Sequence, residues 1–170
     1  YKGDDDSSSD QSSSQRIVRG NATDLGAGVF TGGKDVQDGL YDVTPISGSG
    51  NFSVKSSNGD LIANEILGTD NDDMYVKKAR ILISSGDQIQ IQGIDKIHFE
   101  PVTSQYVTSK QQQVLYSGCW IVGEDIAAGK YVAGNNQSKN GSNFFIYRDS
   151  SPIINEIIGG DMGVSNVTVD

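Results

Sequence analysis

Apolar and polar residues alternate along this chain with a period of two rather than 3.6, the signature of strands with one buried and one wet face. Ile89-Gln90-Ile91-Gln92 is the cleanest example. Comparable short runs at Val29–Thr31, Leu40–Ile46, Phe52–Lys55, Leu61–Leu67, Val76–Ile83 and Lys96–Val102 are separated by GG, DG, SGSG, NG, SSGD and GID, all combinations that favour turns. Strands spaced roughly 8–12 residues apart predict antiparallel β-sandwich modules, jelly-roll-like in type, and no stretch carries a long helical period. Alternation puts Phe52 and Val54 inward with Ser53 and Lys55 outward, and it groups Asn64 with Ile62 and Ile66 as a buried amide.

The pattern then recurs. At an offset of 90 residues, GVFTGGKDVQDGLY (28–41) lies over GCWIVGEDIAAGKY (118–131), with Gly28/Gly118, Gly33/Gly123, Asp35/Asp125, Gly39/Gly129 and Tyr41/Tyr131 identical. Small loop changes later, Asn51-Phe52 meets Asn143-Phe144, Asn64 to Gly68 meets Asn155 to Gly159, and Asp73-Met74 meets Asp161-Met162. Ordered matches with gaps only at loops read as two tandem copies of one module. The expected organisation is a Ser/Asp-rich tether at 1–24, a first repeat at 25–102, a linker at 103–113 and an incomplete second repeat at 114–170. Asp170 aligns with Leu82, so a counterpart of Ile83–Val102 does not follow; a longer parent chain, or strands taken from another molecule, would complete the second copy.

Composition agrees with a strand-rich chain, since 14 Val and 17 Ile outnumber 7 Ala and 6 Leu, and β-branched side chains suit a pleated surface better than a helix. Residues 4–15, DDDSSSDQSSSQ, carry no apolar side chain to offset the entropy of ordering, so the tail is expected to be a disordered tether. A net charge of −9 argues against nucleic acid or an anionic membrane as partner. One Cys and one His exclude a disulfide framework and a Cys/His zinc cluster.

Candidate chemistry is correspondingly thin. His98 alternates onto the wet side of its strand near Glu100, and Cys119, which takes the place of Val29, reads as a small core hydrophobe. Trp120 takes the place of Phe30 and reads as core too. No GxSxG, SxxK or Ser/His/Asp pattern is present, so no enzyme activity is expected. Asp70, Asp72 and Asp73 crowd one loop and offer hard oxygen ligands for calcium, although Met74 breaks EF-hand spacing; a plain acidic turn is the alternative. The copies differ most informatively at NFSVK and NFFIYR, where Phe145 and Tyr147 replace outward polar residues. Such a pair serves either as a stacking platform for a sugar or peptide, or as packing against neighbouring strands.

The segments GGKDVQDGLYDVTPISGSGNFSV and VGEDIAAGKYVAG resemble the repeated modules of secreted proteins and lipoproteins of Gram-positive bacteria. Those modules open on GxDIxAGxY, continue through an SGSGNF-type hairpin and end on an IxIxG strand. The resemblance implies an extracytoplasmic β-sandwich with no assigned chemistry, and carries over no catalytic residue. The Ser/Asp-rich stretch is similar to the spacer that follows the lipid-bearing Cys of bacterial lipoproteins, a Cys this sequence lacks. The expectation is therefore a non-enzymatic cell-surface module for adhesion, ligand binding or spacing. Its partner would be a cell-wall or host glycan, or a protein, with a membrane reached only through a lipid anchor. An accessory β-region of a larger secreted enzyme is the alternative.

Overall fold

The computed structural model describes residues 16–135 and 140–170. They contain no helix, and every paired strand is antiparallel. The acidic stretch 4–15, expected to be disordered, lies outside the described residues. The rest of the expected 1–24 tether is placed: Arg16 is engaged by side-chain bonds, and a strand begins at Thr23.

The chain forms two compact units. The first runs to Thr108 and includes Leu115–Ile126, and the second comprises Ser109–Val114 and Ala127–Asp170. Unit 1 contains β1 (Thr23–Leu25), β2 (Gly28–Thr31), β3 (Gly39–Lys55), β4 (Leu61–Gly68), β5 (Ala79–Ile83) and β6 (Gln88–Pro101). Two expected breaks are absent, since SGSG does not interrupt β3 and GID does not interrupt β6. The two long strands pair with each other throughout, and the register shifts at Pro45/Ser47 and Gly48/Asn51 instead of ending. Glycine supplies the reason: Gly48 and Gly93 take φ of 81° and 78°, and a Cβ on Gly50 would stand 2.0 Å from the Gln92 carbonyl oxygen. The glycines therefore permit a bulge and close approach, a bend within a strand pair rather than a turn between strands.

On one side of the bend β3 and β6 are flanked by β5 and β1, and on the other by β4 and β2. The two halves share one core. Val43, Ile81, Ile97 and Phe99 come from the first half and Phe52, Val54, Leu67, Ile89 and Ile91 from the second. Phe99 meets Tyr41 edge-on at 6.0 Å and Phe52 at 6.1 Å between ring centroids, so aromatic contacts tie the halves together.

The face expected for β4 is reversed. Asn64, Ile62 and Ile66 are exposed, whereas Leu67 is fully buried and Ala63 packs on the core. The segment IANEIL has apolar residues at both parities, and the register decides: Glu65 lies opposite inward Phe52 and Asn64 opposite outward Ser53.

Unit 2 contains β7 (Tyr131–Gly134), β8 (Ser142–Arg148), β9 (Ser151–Ile158) and β10 (Asn166–Val169), paired as β7 with β10 and β8 with β9. Bonds of unit 1 recur there and at its border. The Thr31 amide donates to Asp35 Oδ2 at 2.8 Å and the Ile121 amide to Asp125 Oδ2 at 2.8 Å. The Tyr41 hydroxyl donates to the Gln37 carbonyl at 2.9 Å, and Tyr131 donates to the Ala127 carbonyl at 2.7 Å. Tyr41 pairs with Ile81 as Tyr131 does with Val169, and Phe52 pairs with Glu65 as Phe144 does with Glu156.

Candidate functional site

The hairpin of β8 and β9 closes through Asp149 and Ser150, with φ of 50° and 64° between paired Arg148 and Ser151. Two consecutive positive φ values make a tight turn whose twist suits the strands, and Asp tolerates that region better than most residues. A bulge between Ile146 and Tyr147 follows. Phe144 and Ile146 point to the partly buried side, and Phe145 and Tyr147 to the opposite, exposed side. Phe145 is 44% and Tyr147 61% exposed, and their rings lie 6.1 Å apart at 25°, a stacked arrangement.

Register sets their surroundings. Phe145 lies opposite Asn155, and Asn143 opposite Ile157, all exposed on the same face. The site is thus two stacked rings flanked by two amides and an aliphatic side chain, with no carboxylate or cationic side chain among these five. It can stack on an apolar or sugar face and exchange hydrogen bonds with hydroxyl or peptide groups. The equivalent face of unit 1 carries Ser53, Lys55, Asn64 and Ile66, so the Asn-Ile element recurs and the rings do not.

The carboxylates of the acidic loop make local bonds. Asp70 accepts a bond from the Ser49 hydroxyl at 3.2 Å, and Asp72 accepts from the Met74 amide at 3.0 Å. Among the described residues no three His, Cys, Asp or Glu side chains, Asp73 included, gather as a metal site.

His98 stays on the wet face beside Glu100, at 2.9 Å from Nε2, and its Nδ1 also lies 2.6 Å from Asp24. The bond to Asp24, then that to Glu100, raises its pKa above the ordinary 6.5. Cys119 is exposed rather than core, because Gly118 brings this segment alongside β5: the Arg80 amide donates to Ser117 and the Cys119 amide to Arg80. A Cβ at Gly118 would stand 2.1 Å from the Arg80 carbonyl oxygen, so only glycine allows that approach. Trp120 likewise leaves the core, with Arg80 4.1 Å above its ring and its Nε1 donating to the Tyr116 carbonyl at 2.9 Å.

These contacts belong to a buried ionic cluster whose members lie far apart in the sequence. Asp125, its side chain 1% exposed, accepts from Arg16 and, at 2.9 Å, from Arg80. Arg80 also grips Asp42 through Nε at 2.9 Å and Nη2 at 3.2 Å, and donates to the Tyr116 hydroxyl, which donates in turn to Asp42. Burial would raise the Asp42 pKa, but bonds from Arg80, Tyr116 and Lys78 outweigh it and hold the carboxyl below its ordinary value. A groove beside the cluster is lined by Arg16, Arg19, Leu82, Tyr106 and Glu124. Of its two lining arginines, Arg16 is already committed to Asp125, Glu124 and the Ser104 carbonyl. The cluster is therefore read as architecture.

No protein-family model, curated protein or solved structure matches the chain.

Proposed function

We propose that this chain is a non-enzymatic recognition module of an extracytoplasmic surface, built as two tandem copies of one small jelly-roll-like β-sandwich. The recurring bonds of Asp35 and Asp125, and of Tyr41 and Tyr131, support the two-copy reading. The outward stack of Phe145 on Tyr147 is the observation that carries the binding role. Both rings keep a large exposed area while stacking on each other, and exposed aromatic surface loses unfavourable hydration when a ligand covers it. Asn143 and Asn155 supply donors and acceptors beside the rings without net charge, which suits a neutral polysaccharide better than an ionic ligand.

The test compares the chain with a Phe145→Ala, Tyr147→Ala double variant on insoluble cell-wall polysaccharide. Retention should fall at least about tenfold, with the melting temperature within about 2 °C, because exposed side chains contribute little to folding. Equal retention with an unchanged melting curve would refute the platform.

A further inference from the structure

Strand β6 sets two kinds of side chain outward. Past its bend these are Lys96, His98 and Glu100, and Asp24 on β1 pairs with Lys96 at 2.7 Å and with His98 at 2.6 Å. Before the bend they are Gln88, Gln90 and Gln92. Register sets Ser53 opposite Gln90 and Asn51 opposite Gln92, with Asn64 beyond Ser53 and Ile66 beyond Asn51. Among the described residues, none of these six amide and hydroxyl side chains bonds to another group. Of the outward places on this half of the sheet, only that of Lys55 carries a charge, although the chain has 22 acidic residues. The edge strand β4 adds a second observation. Its outward stripe is Ile62, Asn64 and Ile66, and on the two-copy reading β9 repeats it as Ile153, Asn155 and Ile157 beside the rings. The register jumps at the same place in both hairpins, from Ala63 to Leu61 and from Ile154 to Pro152, so Ile62 and Ile153 each occupy a bulge. All four isoleucines are between 42% and 46% exposed. The core does not require isoleucine at these outward places, yet each copy holds two of them around an amide.

We propose that the outward face of β4, β3 and β6 in unit 1 is a second binding site, and that its ligand is a neutral polysaccharide. The ligand class rests on the reading of the rings given above, and the site rests on the register of unit 1 alone. The glycan chain lies across the strands. Asn64, Ser53 and Gln90 form one row and Ile66, Asn51 and Gln92 the next, with neighbours about 4.8 Å apart in the hydrogen-bonding direction. That spacing is close to one sugar of an extended chain, so successive sugars each meet a group that both donates and accepts. At the β4 edge, Ile62 and Ile66 cover the C–H face of a pyranose. The absence of charge within the rows selects the class. Nothing there offsets the desolvation of an ionic ligand, whereas sugar hydroxyls exchange bonds to water for bonds to amides at little cost.

The experiment titrates the full chain and its Phe145→Ala, Tyr147→Ala variant with cellohexaose, mannohexaose and N-acetylchitohexaose, and with hexagalacturonate as the charged counterpart. Side-chain and backbone amides are followed by NMR. At millimolar sugar at least one neutral hexasaccharide should shift the side-chain amides of Asn51, Asn64, Gln90 and Gln92 in both proteins, and hexagalacturonate should leave them in place. Gln90→Ala with Asn64→Ala should raise the dissociation constant at unit 1 at least about fivefold while the melting temperature stays within about 2 °C, since both side chains face solvent. An unchanged constant overturns the proposal, and so does an equal response to hexagalacturonate. A shift of the same amides when protein concentration alone is raised would assign the face to a second copy and overturn it as well. The two sites fail separately. Shifts confined to β8 and β9 of the native chain overturn the unit 1 site and leave the rings standing, whereas shifts confined to unit 1 uphold it and overturn the rings. No shift at either place with any neutral hexasaccharide overturns both.

Discussion

Asp35 and Asp125 hold the same place in the same motif, and Ala substitution at each should have very different costs. Asp35 is exposed and gives up one bond from the Thr31 amide, worth about 1 kcal/mol by analogy with caps. Asp125 loses the matching bond from Ile121 and, in addition, the anion shared by Arg16 and Arg80. Those guanidinium side chains are only 4% and 8% exposed, so water cannot replace the lost carboxylate. Breaking a buried pair from one side costs about 3–5 kcal/mol. For a unit of this size that is on the order of 10–20 °C in melting temperature, against about 3–5 °C for Asp35→Ala. Urea unfolding followed by Trp120 fluorescence measures both, because the ring lies against Arg80 within the cluster. If the two variants agree within about 0.5 kcal/mol, the cluster contributes nothing beyond its turn and the reasoning fails. A quadruple variant, Asp125→Leu with Arg16→Met, Arg80→Met and Asp42→Asn, removes the partners of Arg80 together with it and so separates the cost of stranding charges from the worth of the pairs: recovery of about 1–3 kcal/mol over Asp125→Ala is expected, since neutral replacements need no counter-ion.

The remaining predictions concern single contacts. His98 titrates above 6.5 in the folded protein, so its bonds to Asp24 and Glu100 stabilise fully below about that pH and are lost as pH rises through the raised value. A urea midpoint that falls between pH 6 and 9 in the native chain and stays flatter in His98→Gln is expected; parallel curves would refute it. Asp42 acts in the opposite sense, its lowered pKa stabilising above the ordinary 3.8 and ceasing to do so as pH falls through the folded value, and Asp42→Asn should lessen the acid sensitivity of unit 1. Ser150→Gly should stabilise the β8–β9 hairpin by about 0.5–1 kcal/mol, since Ser150 holds φ 64° at a cost glycine does not bear, measured as slower amide exchange across β9. Gly118→Ala should loosen the segment on β5, read as faster exchange of the Arg80 and Cys119 amides, because a Cβ there collides with backbone.

The strands were legible because period-two alternation survives wherever one face is buried, and Phe145 and Tyr147 stood out because inward Phe144 and Ile146 fix their parity. Where the pattern is degenerate, only the partner strand decides. Glycine in SGSG and GID signals a turn and a bulge equally well, and the pairing of β3 with β6 selected the bulge. IANEIL offers an apolar residue at either parity, and Glu65 opposite Phe52 turned Asn64 outward. The ionic cluster was illegible for a different reason, since Arg16 and Asp125 are 109 positions apart and no local period links them. One signal was available: Arg80 stands within the apolar strand ARILI, where a cation needs a buried anion, although the strand does not say which.

On the two-copy reading proposed above, comparison position by position separates the roles. Asp35 and Asp125 are both required locally, because one carboxylate oxygen of each closes the turn at Thr31 or Ile121. The second oxygen is free to serve tertiary structure, and only Asp125 uses it for two arginines. The pair Asp42 and Arg80, opposite each other in β3 and β5, is matched in β7 and β10 by Val132 opposite Thr168, so the ion pair is not part of the shared module. Ser53 and Lys55 give way in the same manner to Phe145 and Tyr147. Matched Asp35 and Asp125 hold backbone, and residues that differ carry what is particular to each segment: Arg16 and Arg80 hold Asp125 through charge, and β8 presents the rings.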